Sequence, residues 1–124
     1  MAKKILVVDD EEIIIKSLSK LLEKNGYEVF IAKNGQDAII MTEEEDFDLI
    51  LADIRMPGMN GIDTVSHIYE KTLKKGSRKI PTIFITGYAD EMAEDRARKL
   101  APAAYIYKPF DMTELLNKIK NAIG

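Results

Sequence analysis

Short apolar runs alternate along this chain with longer stretches in which apolar residues recur at helical spacing. That alternation is the pattern of βαβ units, in which a helix returns the chain so that successive strands run parallel. Five such pairs follow one another. The predicted strands are Ile5-Leu6-Val7-Val8, Tyr27 to Ala32, about residues 48 to 53 after Phe47, Thr82 to Thr86, and Tyr105-Ile106-Tyr107. The first helix carries Ile14, Leu18, Leu21 and Leu22 at i, i+4, i+7 and i+8, and Asn25-Gly26 supplies a stop.

Asn34 can cap a second helix bearing Ala38, Ile39 and Met41. A third helix starts near Gly61 with Ile62, Val65, Tyr69 and Thr72 or Leu73 inward, before a polar connection from Lys74 to Lys79. The fourth, from about Glu91 to Leu100, offers only Ala93, Ala97, Leu100 and Ala101 at core spacing, with Met92 beside them. So thin a buried face predicts an element that opens easily. Asp111-Met112-Thr113-Glu114 has the form of a capping box, and Leu115, Leu116, Ile119 and Ile123 make the core stripe of the fifth helix.

The chemistry lies where the strands end. Val8 runs into Asp9-Asp10, Ala52 into Asp53, Ile85 into Thr86 and Tyr107 into Lys108. In an open parallel sheet those carboxyl ends converge on one crevice, which would then hold three carboxylates, a hydroxyl and an ammonium. Carboxylates are the hard oxygen ligands a divalent cation prefers, and a hydroxyl with an ammonium can hold phosphate oxygens. A strand-end aspartate can also attack phosphorus to form an acyl phosphate. The competing structural readings are a capping aspartate for Asp53, an acidic first helical turn for Asp9-Asp10, a sheet-forming residue for Thr86 and a solvated side chain for Lys108.

Composition narrows the classes further. At 124 residues the chain fits a single domain over residues 1–124, and no repeat or low-complexity segment interrupts it. With no cysteine, disulfides and thiolate metal sites are excluded and a reducing, cytoplasmic setting is expected. Four apolar residues before two aspartates are too few for a signal peptide or a membrane span. Twenty-one acidic residues against 18 basic give a net charge of −3, which argues against direct nucleic-acid binding.

Four stretches, in this order, carry a resemblance: Ile5-Leu6-Val7-Val8-Asp9-Asp10-Glu11, Asp53-Ile54-Arg55-Met56-Pro57-Gly58-Met59-Asn60-Gly61, Phe84-Ile85-Thr86-Gly87 and Tyr105-Ile106-Tyr107-Lys108-Pro109-Phe110. The chain resembles a receiver domain of two-component signalling, the phosphoacceptor module of response regulators, over essentially its whole length. The resemblance implies a flavodoxin-like (βα)5 fold, a doubly wound α/β sheet of strand order 2-1-3-4-5. It implies Asp53 as the phosphoacceptor, and Asp10, Asp53 and the backbone carbonyl of Arg55 as ligands of Mg2+, or of Mn2+ in its place. Asp9 would act mainly through a bound water. Lys108 would hold a phosphoryl oxygen, and the Lys108–Pro109 bond would be cis. Thr86 would bond the phosphoryl group while Tyr105 turns from exposed to buried, switching a surface made by the fourth helix, fifth strand and fifth helix. The chain would catalyse its own phosphorylation and dephosphorylation. Its partners would be a sensor histidine kinase or phosphotransfer protein on one side and an output domain or protein on the other. An effector could follow Gly124, or the chain could be a stand-alone regulator.

A hydrogen bond to a charged group contributes about 1.5–3 kcal/mol, whereas moving an equilibrium from 1:99 to 99:1 takes about 5.5 kcal/mol. Thr86 alone would therefore not complete such a switch. Arg55 and Tyr88, two residues beyond Asp53 and Thr86, stand where the family tunes phosphoryl lifetime, and their charge and bulk would slow hydrolysis. Pro102 departs from the small flexible residues usual before the last strand. His67 lies off the inward face and reads as a solvated helix position. Lys71, Lys74, Lys75, Arg78 and Lys79 read as a solvated basic loop. Three other functions fit these residues less well. A flavodoxin-like cofactor binder is disfavoured because Asp9-Asp10-Glu11-Glu12 repels phosphate. An aspartate-nucleophile phosphatase wants an Asp-x-Asp pair, and an interaction module indifferent to phosphate has no need of the Asp53, Thr86 and Lys108 set.

Overall fold

The computed structural model describes residues 2–87 and 90–124. Five strands, β1 (Lys4–Val8), β2 (Glu28–Ala32), β3 (Leu49–Asp53), β4 (Thr82–Thr86) and β5 (Ala104–Tyr107), form one parallel sheet in the order 2-1-3-4-5. Between and after them come α1 (Glu12–Lys24), α2 (Gly35–Glu44), α3 (Gly61–Lys74), α4 (Glu91–Arg98) and α5 (Met112–Ile123). This is the doubly wound α/β architecture expected above.

The sheet is covered on both faces, so its central strands are apolar throughout rather than alternating. Ile5, Val7, Leu49, Leu51, Ile83 and Ile85 face Leu18 and Leu22 of α1 and Leu115 and Ile119 of α5. Leu6, Val8, Ile50, Ala52 and Phe84 face Ala38 and Ile39 of α2, Ile62, Val65, Ile68 and Tyr69 of α3, and Ala97 of α4. Each fully buried aliphatic or aromatic side chain contributes about 1.5–3 kcal/mol of transfer free energy.

Register decides where the chemistry goes. Ile50, Leu51, Ala52 and Asp53 pair in order with Thr82, Ile83, Phe84 and Ile85, and Val8 pairs with Ala52. The residues after Val8, at Asp53 and after Ile85 therefore emerge side by side at the carboxyl edge.

Several helix details depart from the periodicity reading. Ile15 is buried with Leu18 and Leu22, while Ile14 and Leu21 only flank that stripe. Of the two residues offered for the inner face of α3, Leu73 is 77% exposed, and Thr72 is half-buried with its hydroxyl donating to the Ile68 carbonyl at 2.7 Å. Helix α4 stops at Arg98, and Ala101, expected at core spacing, is exposed with φ of +50°, outside helical backbone. Asp9 and Asp10 precede α1 instead of forming its first turn, so that alternative fails.

Capping followed the sequence more closely. As expected, Asn34 accepts the backbone N–H of Asp37 at 2.8 Å and Asp111 that of Thr113 at 2.7 Å, and Asn60, which the sequence pattern did not single out, accepts that of Asp63 at 2.8 Å. Helix α4 fully buries only Ala97, with Ala93 partly buried beside it, and polar clasps add to these contacts. Arg96 Nη2 meets Asp63 Oδ1 of α3 at 2.6 Å and Tyr107 of β5 donates to Glu94, while Lys79 Nζ reaches the Ala101 carbonyl, beyond the helix, at 3.1 Å.

Gly61 ties the start of α3 to the end of β3. Its N–H donates to the Ile54 carbonyl at 2.9 Å, and a Cβ there would stand 2.1 Å from the Asp53 carbonyl oxygen and 2.9 Å from its carbon. Only backbone could give way. Gly61→Ala is therefore expected to cost about 1–3 kcal/mol, the usual range for overpacking, and to lower the melting temperature by about 4 °C or more. An unchanged denaturation midpoint would contradict the contact.

Candidate functional site

At the carboxyl edge, Asp9 and Asp53 are 2% and 4% exposed, while Asp10 faces solvent. Each offers a carboxylate oxygen to a cluster in which these atoms lie within 4.8 Å of one another. Oxygens on one Mg2+ at about 2.1 Å would sit about 3 Å apart when adjacent and about 4 Å when opposite. A modest inward movement would therefore let the three share one ion, and the all-oxygen donor set suits a hard divalent cation.

Lys108 enters from the end of β5, where its N–H donates to the Thr86 carbonyl at 2.7 Å and its bond to Pro109 is cis. Its Nζ lies 3.6 Å from Asp9 Oδ2, 3.6 Å from Asp53 Oδ1 and 3.1 Å from Glu11 Oε1. Among the described residues, three carboxylates thus crowd around one ammonium, with Asp10 beside two of them.

Charge balance follows from that crowding. Burial pushes the Asp53 carboxyl up to about 6, and the Asp9, Asp10 and Glu11 charges add to the rise while Lys108 opposes it. Asp9 is also raised, chiefly by burial, against the pull of the Glu11 N–H at 2.9 Å and of Lys108. Burial alone would lower Lys108, but Asp53, Asp9 and Glu11 together hold its pKa above the ordinary lysine value. The site is short of positive charge.

Thr86 is 1% exposed, one step along β4 from Ile85, the register partner of Asp53. It faces a cavity of about 870 Å3 bounded by Ile54, Arg55, Met56 and Pro57 after β3 and by Asp90, Met92 and Ala93 at the start of α4. Arg55 is exposed, two residues beyond Asp53. Tyr105 is half-buried, with its ring centroid 6.4 Å from that of Phe84 and 5.4 Å from that of Tyr107. Its hydroxyl is enclosed and meets no hydrogen-bond partner among the described residues, and burial, reinforced by the Tyr107, Glu94 and Asp90 charges, pushes it up to about 12. Tyr88, named with Arg55 as a tuning position, lies outside the described residues. His67 is exposed, as its place on the helix indicated.

Asp9, Asp10, Asp53 and Lys108 thus come together. The sequence reading took Glu11 only as part of an acidic run. Its closeness to Lys108, 97 residues away, becomes visible only when the sheet brings the carboxyl ends of β1 and β5 to the same edge. No helix among the described residues is long and apolar enough to cross a membrane.

The response regulator receiver domain family model matches residues 5–120. The probable transcriptional regulator ycf29 of Pyropia yezoensis is 36% identical over 126 aligned positions, covering 100% of this chain and 54% of that protein. The transcriptional regulatory protein CrdR of Helicobacter pylori is 37% identical over 120, covering 97% and 54%. This chain spans about half the length of these two curated relatives. A CheY-like response regulator receiver domain protein from Methanospirillum hungatei JF-1 matches in structure with a TM-score of 0.89 at 35% identity, over 99% of this chain and 94% of that one. From the family match and these likenesses together, the chain belongs to the response regulator receiver domains of two-component signalling.

Proposed function

We propose that Asp53 accepts a phosphoryl group from the phosphohistidine of a sensor kinase or phosphotransfer protein, or from a small acyl phosphate. The observation that carries this reading is a buried carboxylate clustered with Asp9 and Asp10 and 3.6 Å from Lys108. An Asp53 oxygen attacks phosphorus, the new P–O bond forms, and the bond to imidazole nitrogen or acyl oxygen breaks, with the leaving group keeping the electron pair.

Such an attack needs an ionised nucleophile, yet Asp53 is raised to about 6 and its neighbours repel an anionic donor. Mg2+, or Mn2+ in its place, held by Asp10, Asp53 and the Arg55 carbonyl, with Asp9 through water, would supply positive charge that lowers both barriers. Lys108 then holds one phosphoryl oxygen as a point charge, and the Thr86 hydroxyl bonds another. The readout runs through α4, β5 and α5: Thr86 and α4 border the same cavity, and Tyr105 packs beside them with an unsatisfied hydroxyl. Movement of α4 costs little because its core anchor is the single residue Ala97.

In this reading residues 1–124 form one phosphoacceptor domain that catalyses its own phosphorylation and hydrolysis in the cytoplasm. It signals to an output domain or protein and binds neither membrane nor nucleic acid itself. Charge at Arg55 and bulk at Tyr88 slow hydrolysis.

The direct test is intact mass spectrometry after incubation with acetyl phosphate and Mg2+. One phosphoryl adduct is expected on the wild-type chain, absent in EDTA and absent in Asp53→Asn. An adduct that survives in Asp53→Asn would overturn the assignment.

A second expectation concerns pH. Asp53 has a folded pKa of about 6 against an unfolded value of 3.8, so the folded state favours its protonated form. The stability this provides is complete below about pH 4 and is lost as pH rises through about 6, amounting to about 3 kcal/mol at most. In EDTA at pH 8, Asp53→Asn should therefore be more stable than wild type by up to that amount, with the advantage vanishing toward pH 4. Adding Mg2+ should raise the wild-type melting temperature and narrow the gap. Equal pH profiles for the two proteins in urea denaturation would contradict the charge balance.

A further inference from the structure

We infer that Glu11 is a positioning residue that occupies Lys108 in the unphosphorylated protein and so discriminates against free anionic phosphodonors. The inference rests on Asp53 being the phosphoacceptor.

Of the three carboxylates that meet Lys108 Nζ, Glu11 is the nearest, at 3.1 Å against 3.6 Å for Asp9 and Asp53. Its backbone is fixed where it works: the Glu11 N–H donates to Asp9 Oδ1 at 2.9 Å, and its carbonyl accepts the Ile15 N–H at 3.0 Å in the first turn of α1. The Glu11 side chain stands at the rim, 59% exposed, above a lysine side chain only 16% exposed. Glu11 is not one of the residues whose oxygens cluster for a cation. Its business is therefore with the ammonium.

An ammonium has three N–H donors. Of the three carboxylates Glu11 alone is within hydrogen-bond distance, Asp9 and Asp53 holding the head by charge at 3.6 Å, and a phosphoryl oxygen arriving on Asp53 needs that head turned toward it. Asp9 and Asp53 have a cation to turn to; Glu11 has none. Glu11 is thus the partner whose claim on Lys108 the incoming oxygen must loosen. A free donor meets that competition at its own bulk concentration. A donor held by protein docking meets it at a high effective concentration, where the same factor weighs less. Bond making and breaking at phosphorus are unchanged, because Glu11 touches neither the nucleophile nor the leaving group.

The test compares initial rates of phosphoryl adduct formation from acetyl phosphate with Mg2+ for wild type, Glu11→Gln, Lys108→Ala and the double variant, the slow proteins being followed for longer. Glu11→Gln should react about two- to five-fold faster than wild type, the size of a partly exposed ion pair. In the Lys108→Ala background the same substitution should bring no gain, since the interaction runs through the lysine. A damaged fold would slow the reaction, so a gain cannot come from that source. An unchanged or lower rate in Glu11→Gln overturns the inference, and so does an equal gain without Lys108, which would mean plain repulsion of the donor. If the wild type forms no adduct at all, the phosphoacceptor reading falls and this inference with it; an adduct on the wild type without the gain removes the role of Glu11 alone.

Discussion

Carboxylates forced together at one edge of a parallel sheet, with a single lysine among them, are the constraint on which the rest of this molecule depends. The register of β1, β3 and β4 leaves no choice: once the apolar faces of the sheet are buried against helices on both sides, Asp9 and Asp53 must emerge beside each other in a poorly solvated place. Burial first, and then the like charges, raise the pKa of Asp53 and of Asp9, and Lys108 compensates only in part. A folded protein maintains such a conflict at a cost to stability, and a bound cation would relieve it.

The scaffold divides into a rigid and a loose half around this edge. The interior strands, with α1, α3 and α5, bury continuous apolar surface, and Gly61 locks the turn after Asp53 by backbone contact alone. Helix α4 is different. It has one fully buried residue and surface clasps to Asp63 and Tyr107, interactions that solvent and salt weaken. The loose element borders the cavity that Thr86 faces, so a change at the strand end has a short path to a helix that is cheap to move.

Much of this was legible in the residues. Apolar runs ending in different polar groups placed the strands and their chemistry, and Asn34 and Asp111 mark helix starts because their side chains satisfy free backbone N–H groups. The strand order came from resemblance, since periodicity does not say which strand is central. Two kinds of detail were hidden. Amphipathic spacing could not separate Ile14 from Ile15, or Thr72 from Leu73, because neighbours 100° apart on a helix both border the apolar stripe and the tilt against the sheet decides. Glu11 escaped notice because its partner lies at the far end of the chain.

The most direct measurement of the central claim is an NMR titration of the Asp53 side-chain carboxyl carbon, with and without Mg2+. A midpoint near 6 in metal-free buffer, falling by more than one unit when Mg2+ is added, is the predicted result. A midpoint near the ordinary aspartate value of about 4, indifferent to Mg2+, would contradict it.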